Sequence, residues 1–305
     1  MVRSRQIKEK LFAWFQLFRL PNLFTVPGDV LAGFAVVSIT VAETALPSVK
    51  LFLCIITSLL LYCAGLLQND YCDRGADKVE RPARPIPSGL VRDRVVIVTA
   101  ALFFGAAFFL SYCVGLITFM ITVLLTASIS SYNSYSKSVP LWGPLNMGLC
   151  RGFNLLLGAS ILGLDGMNQF PVVLCFAGLS LYIAAVTCIA SKETQDGEVG
   201  PLRWLPVVIL ALWFLVVYLL ISPTPVVSLI FAGISILWTG YLAVVLKGTA
   251  SSIKIQSTIG GLIRGLILIQ AVIVSLNSDM DNLFLFLLLL AWPISTLLSK
   301  RFYSS

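Results

Sequence analysis

Ten apolar runs, each close to the length of a bilayer-crossing helix, leave this 305-residue chain few ways to fold. They lie at about 21–41, 48–68, 94–113, 115–133, 142–163, 169–191, 203–221, 225–246, 256–276 and 282–299. A helix rises about 1.5 Å per residue, so about twenty apolar residues cross the about 30 Å hydrocarbon layer. In lipid every backbone polar group must be satisfied internally, which selects helices for such runs. Only 11% of the residues are charged and 58% are hydrophobic, against about 25% charged in an ordinary soluble domain. The expected fold class is all-α: a polytopic transmembrane helical bundle of nine or ten spans. Two places leave the count open. Only Tyr112 to Gly115 separates the third run from the fourth, and the leucine-rich stretch from Asn282 to Leu298 either crosses the membrane or skirts it.

Charge orients the bundle. With ten spans and the N-terminus inside, the inside loops hold Arg74, Lys78, Arg81, Arg84, Arg92, Arg94, Lys137, Lys192, Arg203, Lys247 and Lys254. The outside loops hold Lys50 together with Glu43, Asp165, Asp279 and Asp281. Basic residues gather on the cytoplasmic side of membrane proteins, so the N-terminus and the loops at 69–92 and 192–203 are expected there. Residues 1–19, basic and carrying Phe12, Trp14, Phe15 and Phe18, read as a cytoplasmic amphipathic segment lying in the interface. Residues 20–305 read as a single transmembrane domain. The net charge of +7 is thus a matter of topology, and no nucleic-acid partner is expected. The absence of histidine removes histidine bases and the usual zinc sites. The seven cysteines are scattered without a Cys-x-x-Cys pair and read as small apolar core residues.

One polar stretch interrupts the pattern, residues 68–89. Asn69, Asp73 and Asp77 are spaced four and four, and Asp70, Asp73 and Asp77 three and four. Both sets share a face if the segment is helical. Like charges on one face repel unless a cation sits among them. Arg74, Arg81, Arg84 and Arg92 lie between or behind them. Carboxylates for a divalent metal beside guanidinium groups for an anion make up a metal–diphosphate site. Pro82, Pro85, Pro87 and Gly89 then end the helix and stiffen the loop.

Residues 191–200 repeat this in part. Glu193 and Asp196 stand three apart after the sixth run, as Asp70 and Asp73 do after the second. The position matching Asp77 is Gly200, which offers no ligand. Lys192 adds a neighbouring cation. Two acidic helix ends meeting across a bundle would hold one or two Mg²⁺, an ion that takes a few carboxylates, waters and substrate phosphates. The candidate metal ligands are Asp70, Asp73, Asp77, Glu193 and Asp196. For 192–200 a merely solvated loop is the competing reading.

With these residues the chain resembles the UbiA superfamily of intramembrane prenyltransferases. Asn69, Asp70, Asp73 and Asp77 meet its first motif, Asn-Asp-x-x-Asp-x-x-x-Asp, in full. Arg81 to Gly89 is similar to the Arg-Pro-x-Arg-Pro-Ile-Pro-x-Gly that follows it. Glu193, Asp196 and Gly200 meet the second motif only in part. Tyr132-Asn-Ser-Tyr-Ser-Lys137 is similar to the family's tyrosine and lysine element. The resemblance runs from about Arg19 to about Pro206, and a tenth span departs from the family's usual nine. Within it, Arg19 to Asp29 resembles the EboC-type branch, which is linked to clustered genes for secondary metabolism.

The resemblance implies a central cavity opening sideways to lipid. An isoprenyl diphosphate lies there with its head at the cytoplasmic end, and its prenyl group passes to a lipophilic or aromatic acceptor. It further implies that Asp73, Asp77 and Asp196 hold Mg²⁺ as catalytic residues, with Lys137, and that Asn69 contacts metal or diphosphate. Arg81, Arg84, Lys137 and Lys192 are the cations implied for the departing diphosphate.

The acceptor end is less legible. Asn22 and Asp29 lie in the first run, and Asn146, Arg151 and Asn154 in the fifth. Intramembrane polar residues are costly and often functional. Asn22, Arg151 and Asn154 either line an acceptor pocket or bind helices together. The weakened second motif also admits a non-catalytic relative that moves or presents a lipophilic secondary metabolite.

Overall fold

A computed structural model of the protein describes residues 2–39, 48–193, 196–221, 224–277 and 282–302. Glu43, Asp279 and Asp281, three of the acids assigned to outside loops, lie outside the described residues. The chain enters through α1 (Val2–Leu17), a short α2 (Leu20–Leu23) and α3 (Val26–Ser38). It continues through α4 (Ser48–Glu80), α5 (Asp93–Val114), α6 (Leu116–Ser134) and α7 (Trp142–Ala159). A short α8 (Gly163–Met167) precedes α9 (Phe170–Ala190), α10 (Leu205–Leu220) and α11 (Val226–Val245). The last two are α12 (Ser252–Val274) and α13 (Asn282–Phe302).

Among the described residues ten helical segments are long and apolar enough to cross a membrane. The protein is a multi-pass integral membrane protein. Both ambiguous places resolve into separate spans: Gly115 stands between α5 and α6 in extended backbone, and Asn282–Ser299 forms the tenth span. The first span is broken at Phe24 and Thr25, with Pro27 in the opening turn of α3. Proline brings no N–H and suits a helix start.

Burial separates centre from rim. The spans formed by α2–α3 and by α12 are 78% buried, whereas Asn282–Ser299 is 11% buried. α3 and α12 are therefore the middle of the bundle, and α13 turns most of its surface to lipid. Glycines let the central helices meet backbone to backbone. A side chain at Gly33 of α3 would collide with the Leu155 carbonyl of α7, and one at Gly158 of α7 with the Val30 carbonyl of α3.

Two departures from the sequence reading bear on the site. α4 runs 33 residues, about 50 Å, and so outlasts the hydrocarbon layer; Asn69 to Asp77 occupy its projecting end. Pro82 stops it, and the loop beyond is tied by Ser88 N–H to Arg84 O at 3.0 Å and Val91 N–H to Pro85 O at 3.1 Å. α9, by contrast, ends at Ala190. Residues 191–193 and 196–200 do not continue it as an α-helix. Gly197–Glu198 (β1) instead pairs antiparallel with Thr249–Ala250 (β2), a two-residue ladder and the only one among the described residues.

Candidate active site

A cavity of about 320 Å³ opens at the projecting end of α4. Down α4 its wall passes from Asp73 to Asn69, Leu66 and Gly65, Tyr62 and Leu61, and Ser58. α6 and the 3-10 turn after it (Ser136–Ser138) supply the facing wall, from Lys137 through Asn133 and Ile129 to Leu125. α7 adds Cys150, Arg151 and Asn154. A second lobe of about 330 Å³ runs toward α2, α9 and α12 and is lined by Asn22, Thr187, Gln256 and Ile259. Both lobes touch Arg19, Arg81, Arg84, Arg151 and Glu193, so they adjoin.

The mouth is charged and paired. Lys137 forms an ion pair with Asp73. Asn146 holds the turn that carries Lys137 by donating to Ser136 Oγ at 2.8 Å. Arg81 faces Glu193 at 3.5 Å, joining the loop after α4 to the segment after α9. Behind them Arg84 grips Asp77 with 2.8 and 3.1 Å contacts and stands 4.0 Å from Asp70. Arg19 lies 3.7 Å from Asp70. Asp70 and Asp77 are buried and do not line the cavity; Asp73, Asn69 and Glu193 do.

The remaining candidates separate. Asp196 is exposed, and its Oδ1 accepts the Ser252 N–H at 2.7 Å at the start of α12. Ser252 Oγ also donates to Glu193 O at 2.7 Å. Lys192 is exposed and lines neither lobe. Arg74 turns onto its own helix, donating to Tyr71 O at 2.6 Å. Gly200 has φ +64°, a left-handed conformation that glycine takes without cost.

Deeper in the bundle, against the cavity wall, lies a polar cluster centred on Asp29. Asp29, fully buried, accepts from Arg151 at 2.7 Å, Asn154 at 2.9 Å and Gln270 at 2.6 Å. Arg151 also reaches Thr25 Oγ1 at 2.8 Å, and Gln270 donates to Thr25 O at 2.7 Å. Ser58 Oγ donates to Asn154 Oδ1 at 2.5 Å. The break before α3 thus presents polar groups that α7 and α12 satisfy, with Ser58 of α4 in turn bonding Asn154, as burial of polar atoms requires. Arg151 and Asn154 both bind helices together and face the cavity. Asn22 lines the second lobe, buried, with its Oδ1 unpartnered.

Among the described residues no group of three or more carboxylate or thiol side chains is arranged to hold an ion unaided. Mg²⁺ does not ask for such a cage; it binds through one or two carboxylates, waters and phosphate oxygens. Asp73 and Glu193 at the mouth, with cations around them, fit a site that a phosphate ligand completes.

Residues 31–259, three quarters of the chain, match the UbiA prenyltransferase family. The chain belongs to the UbiA prenyltransferase family. It is 30% identical over 156 residues to digeranylgeranylglyceryl phosphate synthase of Methanosarcina mazei, covering 51% of this chain and 53% of that one. The chain spans about half the length of the curated relatives it matches first. A structure from work on digeranylgeranylglyceryl phosphate synthase in membranes superposes with TM-score 0.62 at 19% identity, over 88% of this chain and 99% of that one. A UbiA homolog from Archaeoglobus fulgidus bound to DMAPP and Mg²⁺ superposes with TM-score 0.59 at 13% identity, over 92% and 99%. At such identities the superpositions establish the shared fold.

Several lining residues of this UbiA family member escaped the sequence reading. Arg19 was counted with the basic N-terminal segment, although it reaches the mouth. Tyr62 and Ser58 extend the Asn69 face of α4 upstream at seven and eleven residues, a helical spacing that could have found them. Gln270, which lines neither lobe but holds Asp29 and Thr25, carried one signal, an amide within an apolar run.

Proposed function

We propose that this protein transfers a prenyl group from an isoprenyl diphosphate to a lipophilic or aromatic acceptor, with Mg²⁺ assisting departure of the diphosphate. One observation carries the reading. Asn69, Asp73, Arg81, Arg84, Lys137 and Glu193 converge on the mouth of a cavity whose depth is lined by Gly65, Leu61, Ile129 and Leu125. That is an anionic head site above an apolar shaft.

Asp73 and Glu193 would hold Mg²⁺, with Asn69 beside them, and the bound ion neutralises charge on the departing diphosphate oxygens. Arg81, Arg84 and Lys137 bind the diphosphate and stabilise the charge that develops on it. Asp77 and Asp70 keep Arg84 in place. The bond between the allylic carbon and the diphosphate oxygen breaks with its electron pair going to oxygen. The acceptor's nucleophilic atom then bonds to that carbon and gives up its proton. An apolar shaft limits water and so protects the electron-poor carbon from hydrolysis. The second lobe, with the unpartnered Asn22 Oδ1 and with Arg151, is the acceptor side. Domain limits at 1–19 and 20–305, a cytoplasmic mouth and N-terminus, and the EboC-type place in secondary metabolism belong to the same reading; the basic loops at 74–94 support the orientation.

A non-catalytic carrier is the second reading, favoured by one observation: Asp196 is bound to Ser252, which leaves Glu193 alone to represent the second acidic motif at the cavity. Mass spectrometry of lipids from cells with the wild-type protein, with Asp73→Asn and without the protein separates the two. A prenylated product present only with the wild type is expected. The same product in the Asp73→Asn cells would overturn the enzymatic reading.

A further inference from the structure

Glu193 lines the cavity mouth, yet it stands outside any helix. α9 ends at Ala190. The chain leaves it through a tight turn, with Lys192 N–H donating to Ile189 O at 3.0 Å and Glu193 N–H to Ala190 O at 3.1 Å. Bonds of this three-residue kind have poorer geometry than those of an α-helix and hold only short pieces of chain. Asp73, across the mouth, sits within the long α4. The Glu193 backbone therefore needs support from elsewhere in the fold.

The first residue of α12 gives that support. Ser252 Oγ donates to Glu193 O at 2.7 Å, while Ser252 N–H donates to Asp196 Oδ1 at 2.7 Å. Ser252 also heads the face of α12 that builds the second lobe. Gln256, Ile259 and Ile263 follow it at four, seven and eleven residues, a helical spacing, and all three line that lobe. Ser252 itself lines neither lobe. On its other side the Glu193 carboxylate faces Arg81 at 3.5 Å. Glu193 is thus spanned, its carbonyl tied to α12 and its carboxylate directed at the loop after α4.

Resting on the Mg²⁺–diphosphate reading of the mouth, we propose that Ser252 is the positioning residue that sets Glu193 for Mg²⁺. Its hydroxyl touches neither ion nor substrate; it fixes the Glu193 peptide, and so does for Glu193 what the body of α4 does for Asp73. Partners that orient a ligand residue from behind tune metal affinity without contacting the metal. The two Ser252 bonds separate in one variant. Ser252→Ala removes the hydroxyl and keeps the N–H, so the bond to Asp196 and the β1–β2 pairing stay.

The test is calorimetric titration of Mg²⁺ into the full chain in lipid nanodiscs, with non-hydrolysable geranyl thiolodiphosphate at fixed concentration, beside thermal unfolding of each variant. Ser252→Ala is expected to raise the Mg²⁺ midpoint by about three- to tenfold. Ser252→Thr keeps a hydroxyl and should stay within about twofold of wild type. In a Glu193→Gln background, Ser252→Ala should add no further shift, because the residue it acts through is already disabled. If Ser252→Ala does not fold, Ser252→Cys, with a weak donor in place of the hydroxyl, must show the same shift to a smaller degree. An unchanged midpoint, a Thr variant as impaired as the Ala variant, or a shift that persists in full beside Glu193→Gln would overturn the role of Ser252 while leaving the diphosphate site intact. Wild-type binding of the thiolodiphosphate that is indifferent to Mg²⁺ would instead overturn the reading of the mouth itself, and the role of Ser252 with it.

Discussion

Asp196 Oδ1 accepts the backbone N–H of Ser252 at 2.7 Å, so an acid of the second motif is spent on the first turn of α12. The bond joins two segments already paired through Gly197↔Ala250 and Glu198↔Thr249. Helix starts leave N–H groups without intrahelical partners, and an acidic oxygen there is stabilising. Asp73, on the first motif, lines the cavity and meets Lys137.

The two aspartates should therefore respond differently to loss of charge. Asp196→Asn is expected to weaken Mg²⁺-dependent prenyl diphosphate binding by less than about tenfold, and Asp73→Asn by about a hundredfold or more. Asp196→Ala should also lower unfolding stability by about 1 kcal/mol, the usual worth of a capping side chain. Ligand titration and thermal unfolding of the purified variants measure both.

Arg84 is the centre of a buried charge cluster with Asp77 and Asp70. Arg84→Met leaves Asp77 buried without a guanidinium and Asp70 with Arg19 alone, which costs about 3 kcal/mol or more. Arg84→Lys should recover only part of this, since an ammonium cannot reproduce the planar fork. A melting temperature for Arg84→Lys equal to wild type would contradict this account of the cluster.

The Arg151–Asp29 pair, 2.7 Å apart with Asp29 fully buried, should show strong coupling. Asp29→Ala or Arg151→Ala alone strands a charge in the bundle, with an expected cost of about 3 kcal/mol. The double variant should lose less than the sum of the two. Additive losses in an unfolding cycle would show that the pair does not bind α3 to α7.

Gly200 tests whether the missing third acid is a simple gap. Its φ of +64° disfavours any side chain by about 1 kcal/mol, and nothing crowds it within 4 Å. Gly200→Asp is expected to fold, to lose about that much stability, and to leave Mg²⁺ affinity unraised, because the residue lines neither lobe. A rise in affinity measured by calorimetry would show that the segment can reach the cavity.

The spans were legible because each is a run of apolar residues long enough to cross lipid, and composition settles that without tertiary knowledge. The first motif was legible as a helix face but not in its division of labour. At 100° per residue Asp77 lies about 20° from Asp70, whereas Asp73 is rotated about 60° from it toward Asn69. That small rotation sends two acids behind Arg84 and one into the cavity, and spacing counts of three and four do not expose it. The second motif misled for a different reason. Ser-Lys-Glu-Thr-Gln contains nothing that forbids a helix, so neither the end of α9 at Ala190 nor the pairing of Gly197 and Glu198 with Ala250 and Thr249 could be read from the local sequence. The Asp29 network was half visible: the polar residues stood out, but their partners come from four helices that only packing brings together.

The most direct test of the account is calorimetric titration of the nanodisc-embedded protein with a non-hydrolysable geranyl thiolodiphosphate, with and without Mg²⁺, for wild type and Asp73→Asn. Binding by the wild type that needs Mg²⁺ and falls about a hundredfold or more in Asp73→Asn is predicted. Equal binding by the two proteins, or binding indifferent to Mg²⁺, would contradict it.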